Sequence, residues 1–265
     1  MAMSMTSPSG APDSPAPRSK TALVTGGARG IGREVAGQLL EEGWNVAIAD
    51  LHLPDEQERA EDPRLARFHA VQMDVADTAS VDAGVNEVIE SFGGLAGLVN
   101  AAGYNRHQPV AELQDQTWQH LLDVHLGGTL RCCRRAFPAL RDSGCGVVVN
   151  FSSVAGQRGR QNRAPYSAAK AGIEAATRTM AIEWAPHQIR INAVVPGWIN
   201  TRLNRQNIAS GNTSADGVLK AIPLARFGEP EEVARVVTFL MSSQSSYMTG
   251  QCLVVDGGAL INGNW

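Results

Sequence analysis

The stretch Thr21-Ala22-Leu23-Val24-Thr25-Gly26-Gly27-Ala28-Arg29-Gly30-Ile31-Gly32 constrains the fold most, because a short apolar strand runs directly into closely spaced glycines and then a helical pattern. In such a unit Gly26 permits the tight turn, Gly30 lets backbone approach phosphates, and Gly32 lets the helix pack close to the strand. The N–H groups of the opening helical turn, Ile31 among them, then face an anion. The spacing points to a dinucleotide pyrophosphate seated on this turn, with Arg29 beside it.

Apolar strand-like runs recur at about 20–25, 45–49, 68–73, 95–100, 146–151, 189–195 and 252–255. They alternate with helical patterns at about 30–42, 78–92, 112–141, 165–185 and 229–242. Runs such as Val147-Val148-Val149 are apolar on both faces, as when helices cover both sides of a parallel sheet. The expected fold is α/β, a single Rossmann-like doubly wound parallel sheet of about seven strands in one domain, 20–265. Residues 1–19, rich in Pro, Ser and Ala, form an expected disordered lead-in. The Asn-, Ser- and Gly-containing stretch 203–217 reads as a mobile excursion, a substrate lid around 200–220.

Of 265 residues, 23 are Lys or Arg and 26 are Asp or Glu, so no basic field invites nucleic acid. The four cysteines show no metal-ligand spacing and read as reduced thiols, with no metal site. No apolar run approaches the roughly 20 residues needed to span a bilayer, and no basic leader precedes an apolar stretch. The expectation is a soluble, cytoplasmic protein acting on a small molecule, without nucleic-acid or membrane partners.

A second constellation follows far downstream. Ser153 lies just past the strand ending at Phe151, and Tyr166 and Lys170 share one helix face four residues apart. An ammonium beside a phenol favours phenolate, so Lys170 is expected to draw the Tyr166 pKa down from about 10. Ser153, beyond the carboxyl end of a central strand, can hold a substrate oxygen beside that phenol.

Over about residues 20–259 the chain resembles the short-chain dehydrogenase/reductase family. The family's T-G-x-x-x-G-x-G turn stands at Thr25 to Gly32, and its N-x-A-G motif at Asn100-Ala101-Ala102-Gly103. Its catalytic serine, tyrosine and lysine fall on Ser153, Tyr166 and Lys170, with twelve residues between the serine and the tyrosine. Pro196-Gly197 matches the turn after the sixth strand, and Ile199 and Thr201 match residues facing the nicotinamide carboxamide and phosphates. Asp74 and Val75 match the adenine-edge contacts, and Thr249-Gly250 and Val255-Asp256-Gly257-Gly258 match the closing motifs. The resemblance implies hydride transfer between a nicotinamide and an alcohol or carbonyl carbon. Tyr166 then exchanges the proton, Ser153 orients the oxygen, and Lys170 binds the nicotinamide ribose.

One position departs from the pattern. His125 stands where the family usually has an asparagine that completes a proton relay through a lysine-bound water. Three outcomes stay open: a tolerated change, because the relay uses that residue's backbone carbonyl in a helix bent near Gly127 and Gly128; a titrating histidine that alters the pH profile; or impaired catalysis.

Asp50 ends the second strand, eighteen residues past Gly32, where a carboxylate accepts from adenosine ribose hydroxyls and repels a 2′-phosphate. That favours NAD over NADP, although Arg29 can serve a 2′-phosphate. The loops carrying Tyr104, Asn105, Arg106 and His107, and Gln157, Arg158, Arg160, Gln161, Asn162 and Arg163, suit hydroxyl-rich or carboxylate-bearing substrates. Arg106-x-x-Pro109 and Ala111-Glu112-Leu113 resemble sugar-acid and polyol members of the family. Three functions stay open: an NAD-dependent sugar, polyol or sugar-acid dehydrogenase; an NADPH-dependent 3-oxoacyl thioester reductase; and a non-catalytic dinucleotide-binding scaffold. The resemblance further implies a homotetramer, with a dimer second, its contacts drawn from the segments 112–141 and 165–185 and the C-terminal strand.

Overall fold

The structure is a computed structural model that describes residues 20–211 and 214–262, so the lead-in 1–19 lies outside the described residues. Its strands are β1 (Thr21–Thr25), β2 (Asn45–Asp50), β3 (His69–Gln72), β4 (Gly97–Asn100), β5 (Val147–Phe151), β6 (Arg190–Pro196) and β7 (Cys252–Val255). They form one sheet in the order β3-β2-β1-β4-β5-β6-β7, and every pairing is parallel. The helices are α1 (Gly30–Glu41), α2 (Glu56–Glu61), α3 (Thr78–Phe92), α4 (Asp115–Leu122), α5 (Gly128–Asp142), α6 (Val154–Gln157), α7 (Ala164–Trp184), α8 (Arg202–Ala209), α9 (Ala215–Ala221) and α10 (Pro230–Met241).

Side chains alternate across each strand, and both faces are apolar because both are covered. From β1, Ala22 and Val24 pack with Val35 and Leu39 of α1 and Val233 and Val237 of α10. Leu23 points the other way, into a cluster with Val85 of α3, Cys133 and Leu140 of α5 and Met180 of α7. Each buried Val, Leu or Met contributes about 1.5–3 kcal/mol, and their distribution over two faces fixes the three-layer arrangement. Burial pushes the Cys133 thiol up to about 12, so this cysteine packs as an apolar residue.

Local signals set the helix ends. The Asp77 carboxylate accepts from the N–H groups of Ala79 and Ser80 at the start of α3, which stops at Gly93 in the left-handed region with φ 71°. Pro230 opens α10 behind a Glu229/Glu232 capping box.

The expected helix over 112–141 is interrupted. A 3-10 turn covers Val110–Glu112, α4 follows, and a π-helical segment Asp123–Gly127 joins α4 to α5. The stretch 203–217, read as an irregular excursion, is largely helical in α8 and α9. Among the described residues no helix is long and apolar enough to cross a membrane.

The winding reverses between β1 and β4, which opens a crevice beyond the carboxyl ends of these two strands. The site is built on that edge.

Candidate active site

The glycine turn is as tight as its sequence requires. Gly26 and Gly30 have φ of 65° and 57°. A Cβ on Gly26 would sit 2.8 Å from the backbone of Ala102, and one on Gly32 would overlap the Gly26 carbonyl. Gly26 and Gly32 are thus required by contacts inside the protein. Gly30 differs: its added Cβ would find only Thr201 Cγ2, at 3.8 Å, so the gap between the turn and Thr201 is a cradle that a side chain would fill. No side chain caps α1, and its first turn holds no acidic residue, so the donors at Ile31 and its neighbours keep their positive end unneutralised. This donor set fits a pyrophosphate.

Asp50 closes β2 beside the turn, with Oδ2 accepting from Ala28 N–H at 3.2 Å and Oδ1 from His52 N–H at 3.4 Å. Arg29 turns away from the cradle to Glu58, its Nε 3.1 Å from Oε1 and Nη2 3.4 Å from Oε2. Asp74 begins a turn, Oδ1 accepting from Ala76 N–H at 2.8 Å, and Val75 is buried against Gly128. Asn100 points into the sheet rather than the crevice, donating to Asn150 Oδ1 at 2.9 Å and Cys133 Sγ at 3.3 Å. Ala101 and Ala102 donate their N–H groups to Thr25, joining the ends of β1 and β4. On the opposite wall Gly197 abuts the backbone of Asp256, Pro196 ends β6, Ile199 is buried, and Thr201 caps α8.

Ser153, Tyr166 and Lys170 come together. Ser153 begins α6, its Oγ accepting from Ala155 N–H at 3.2 Å. Lys170 Nζ lies 5.6 Å from the Tyr166 ring centroid and donates to the Phe151 carbonyl at 2.6 Å. Burial raises the Tyr166 pKa, opposed by its hydrogen bond with Ser153 and by the charge of Arg163. Burial also drives Lys170 down to about 7. Burial thus weakens the charge with which Lys170 is expected to draw the phenol down, and Ser153 and Arg163 add to the pull on it.

His125 lies in the π segment, where Gly128 N–H reaches the carbonyls of Asp123 and His125. Its ring is buried, edge-on to Tyr166 with centroids 5.2 Å apart. Nε2 is 2.7 Å from the Tyr104 carbonyl, which can only accept, so Nε2 carries the proton and Nδ1 is a bare acceptor. Nδ1 is buried and has no partner. Burial first, then the charge of Lys170, pushes His125 down to about 3. That direction favours a neutral imidazole over the titrating-histidine outcome at neutral pH. A side chain at Gly103 would overlap the imidazole, so the glycine and the histidine belong together.

Two residues were not identified from sequence. Glu58 holds Arg29; the capping-box pattern Asp55-Glu56-Gln57-Glu58 was the signal that could have placed it on a helix. Trp198, buried after the Pro196-Gly197 turn, lies under the guanidinium groups of Arg160 and Arg163 at 5.1 and 5.4 Å. Nothing in the sequence marks that contact, which unites the loops after β5 and β6.

Comparison with known proteins agrees with this geometry. Residues 26–259 match the family model described as enoyl-(acyl carrier protein) reductase. The 3-oxoacyl-(acyl-carrier-protein) reductase FabG of Staphylococcus aureus is 38% identical over 242 residues, covering 90% of this chain and 97% of that one. The trans-4-hydroxycyclohexanecarboxylate dehydrogenase of Sinomonas cyclohexanicum is 37% identical over 254 residues, covering 92% and 94%. The structure of Thermoplasma acidophilum aldohexose dehydrogenase superposes with a TM-score of 0.85 at 30% identity, covering 94% and 96%. With its glycine turn, its Ser153-Tyr166-Lys170 grouping and these matches over nearly its whole described length, the chain belongs to the short-chain dehydrogenase/reductase family of NAD(P)-dependent oxidoreductases.

Proposed function

We propose that the protein is an NAD-dependent dehydrogenase that interconverts an alcohol and a carbonyl on a small polar substrate, a sugar, polyol or sugar acid. The observation that carries this reading is the setting of Tyr166: a half-buried phenol bonded to Ser153, one helical turn from Lys170, on the sheet edge that carries the glycine turn. The nicotinamide, when bound, supplies the hydride acceptor or donor. Tyr166 Oη gives or takes the proton, Ser153 Oγ orients the substrate oxygen, and Lys170 Nζ holds the nicotinamide ribose. His125 positions Tyr166 by its edge contact. The turn Gly26, Gly30, Ile31 and Gly32 would cradle the pyrophosphate, with Arg29 beside it held to Glu58, while Asp50 would meet the adenosine ribose and Asp74 and Val75 the adenine. Asn100, Ala101 and Gly103 shape the crevice floor, and Pro196, Gly197, Ile199 and Thr201 its nicotinamide end.

Two observations support NAD over NADP. Asp50 places a carboxylate at the end of β2, and Glu58 occupies the one arginine of the turn that could meet a 2′-phosphate. A second reading, reduction of 3-oxoacyl thioesters with NADPH, is favoured by the names of the matched family model and the staphylococcal relative. The polar names of the cyclohexanecarboxylate and aldohexose relatives favour the first.

The test is a screen of polyols, sugars, sugar acids and hydroxy acids with NAD and NADP, repeated with Tyr166→Phe. That substitution should lower turnover by at least ~10²-fold while leaving cofactor affinity nearly unchanged. Near-native turnover by Tyr166→Phe would refute the assignment, and Tyr166-dependent turnover on any substrate would exclude the scaffold reading.

A further inference from the structure

The loop between α6 and α7 concentrates positive charge beside the acid/base tyrosine. Arg163 immediately precedes α7, three residues before Tyr166. Its guanidinium and that of Arg160 lie over one ring, Trp198, at 5.4 and 5.1 Å from the centroid. Two like charges within reach of one ring repel each other, and both are partly withdrawn from water. Burial and the neighbouring Arg163 and Arg158 hold Arg160 down to about 10. Burial likewise lowers Arg163. Arg158 is turned to the Asn262 carbonyl at 3.1 Å. Among the described residues, no carboxylate pairs with Arg163.

The titratable groups that Arg163 faces are Arg160, His107 and Tyr166, with no carboxylate among them. Its charge acts on Tyr166 and on His107, which burial and Arg163 together keep below the usual histidine value. The loop after β4 is fastened here, because Gln108 N–H donates to the Asn162 carbonyl at 2.9 Å. Asn105 Oδ1, on the same loop, is buried without a partner. Asn162 itself takes φ of 62°, a left-handed conformation that asparagine tolerates, and it turns the chain into Arg163. Loops from β4, β5 and β6 thus converge on a half-buried guanidinium backed by an aromatic face. A buried charge is ordinarily matched by an opposite one. Arg64, Arg131 and Arg190 show how this protein satisfies a withdrawn guanidinium: the first two each have a carboxylate partner, and Arg190 donates to Ser245 Oγ and to the carbonyls of Leu240, Ser242 and Met248.

We propose that the counter-charge of Arg163 is the substrate itself: a carboxylate group of a small hydroxy acid, or of the corresponding oxo acid, seated on Arg163 against Trp198 while its carbinol or carbonyl oxygen lies at Tyr166 and Ser153. This rests on the reading of Tyr166 as the proton-exchanging group and narrows the substrate class from polar alcohols to anionic ones. The planar fork of arginine suits a carboxylate, and the aromatic ring beneath it keeps the fork in place. A neutral thioester or alcohol would leave the guanidinium desolvated and unpaired, and sites built around a buried polar group reject partners that lack its complement.

The experiment compares acids with their neutral counterparts. Wild type, Arg163→Gln and Arg163→Lys, each confirmed folded by far-UV circular dichroism, are assayed with NAD on 3-hydroxybutyrate, gluconate and 3-hydroxycyclohexanecarboxylate. The methyl esters of the two monohydroxy acids and cyclohexanol serve as neutral partners. The best acid should exceed its neutral partner at least about 30-fold in kcat/KM for wild type. Arg163→Gln should reduce that ratio below about threefold, mainly through KM, and Arg163→Lys should restore part of it. Equal use of acids and neutral alcohols by wild type, or an unchanged ratio in Arg163→Gln, overturns the carboxylate seat and leaves Tyr166 chemistry standing. Activity on either set that survives Tyr166→Phe overturns the underlying reading instead.

Discussion

Lys170 offers the sharpest quantitative check on the site, because its charge is set by the fold. It is 5% exposed, its Nζ donates to the Phe151 carbonyl at 2.6 Å, and burial lowers it from 10.5 to about 7. In the unfolded chain the amine titrates near its ordinary value. Between these two values the unfolded state binds a proton that the folded state does not, so stability rises with pH across the window from about 7 to 10.5. Below that window both states are protonated and the full penalty of burying an ammonium is present, on the order of 3–5 kcal/mol. Raising the pH from 7 to 9 should recover about 2 kcal/mol from this residue alone. Lys170→Met keeps the length and the apolar stem, loses the bond to Phe151, and has nothing to titrate. Urea unfolding of wild type and Lys170→Met at pH 6, 7, 8 and 9 isolates the contribution as the difference between the two pH slopes. The variant should gain relative to wild type at pH 6 and lose that advantage by pH 9. Parallel profiles would show that Lys170 keeps an ordinary pKa, and the account of Tyr166 answering to Ser153 and Arg163 would fall with it.

Asp50→Ala, which removes the carboxylate at the end of β2, should shift the kcat/KM ratio toward NADP by roughly 1–3 kcal/mol, and Glu58→Gln should add to it by releasing Arg29; wild type that already prefers NADP in matched kinetics would contradict both. Gly103→Ala should cost more than about 2 kcal/mol in urea unfolding, part from the backbone at φ 158° and part because the new methyl meets the His125 ring; only the second part should disappear in a His125→Ala background, so fully additive costs would refute the contact. In light scattering the protein should behave as four 28.2 kDa subunits, with a fully active monomer at micromolar concentration as the opposing result.

The sheet was legible because its strands are buried on both faces. β1, β4 and β5 are apolar through their centres, and the alternation with helices left one topology class. Segments with weak or polar periodicity were not legible. α2, Glu-Gln-Glu-Arg-Ala-Glu, has no apolar face, and only its Asp55/Glu58 capping box announces it. α8 and α9 lie in a stretch whose composition reads as an excursion, although Thr201 and Ser214 stand as caps that accept from Asn204 and Gly217 N–H. Apolar periodicity over 112–141 is insensitive to a five-residue π segment, because such an insertion shifts the phase without breaking the helix.

Within the site, spacing revealed which residues meet and failed on which of them carry charge. The positions of Ser153, Tyr166 and Lys170 could be read because i, i+4 neighbours share a face in any helix. The state of Lys170 could not, since desolvation depends on Phe151, Ser152 and the neighbouring strands rather than on its own helix. The same burial that leaves Lys170 near 7 leaves His125 near 3, so two of the bases closest to Tyr166 hold their protons weakly at neutral pH. Guanidinium groups resist this loss: Arg160 lowered to about 10 is still a cation at pH 7. As the core closes around Tyr166, the arginine that immediately precedes the helix adds to a field that the half-charged lysine one turn away supplies only in part. An arginine at that place does by chemistry what proximity alone cannot secure for a buried lysine, and that difference has no signature in residue spacing.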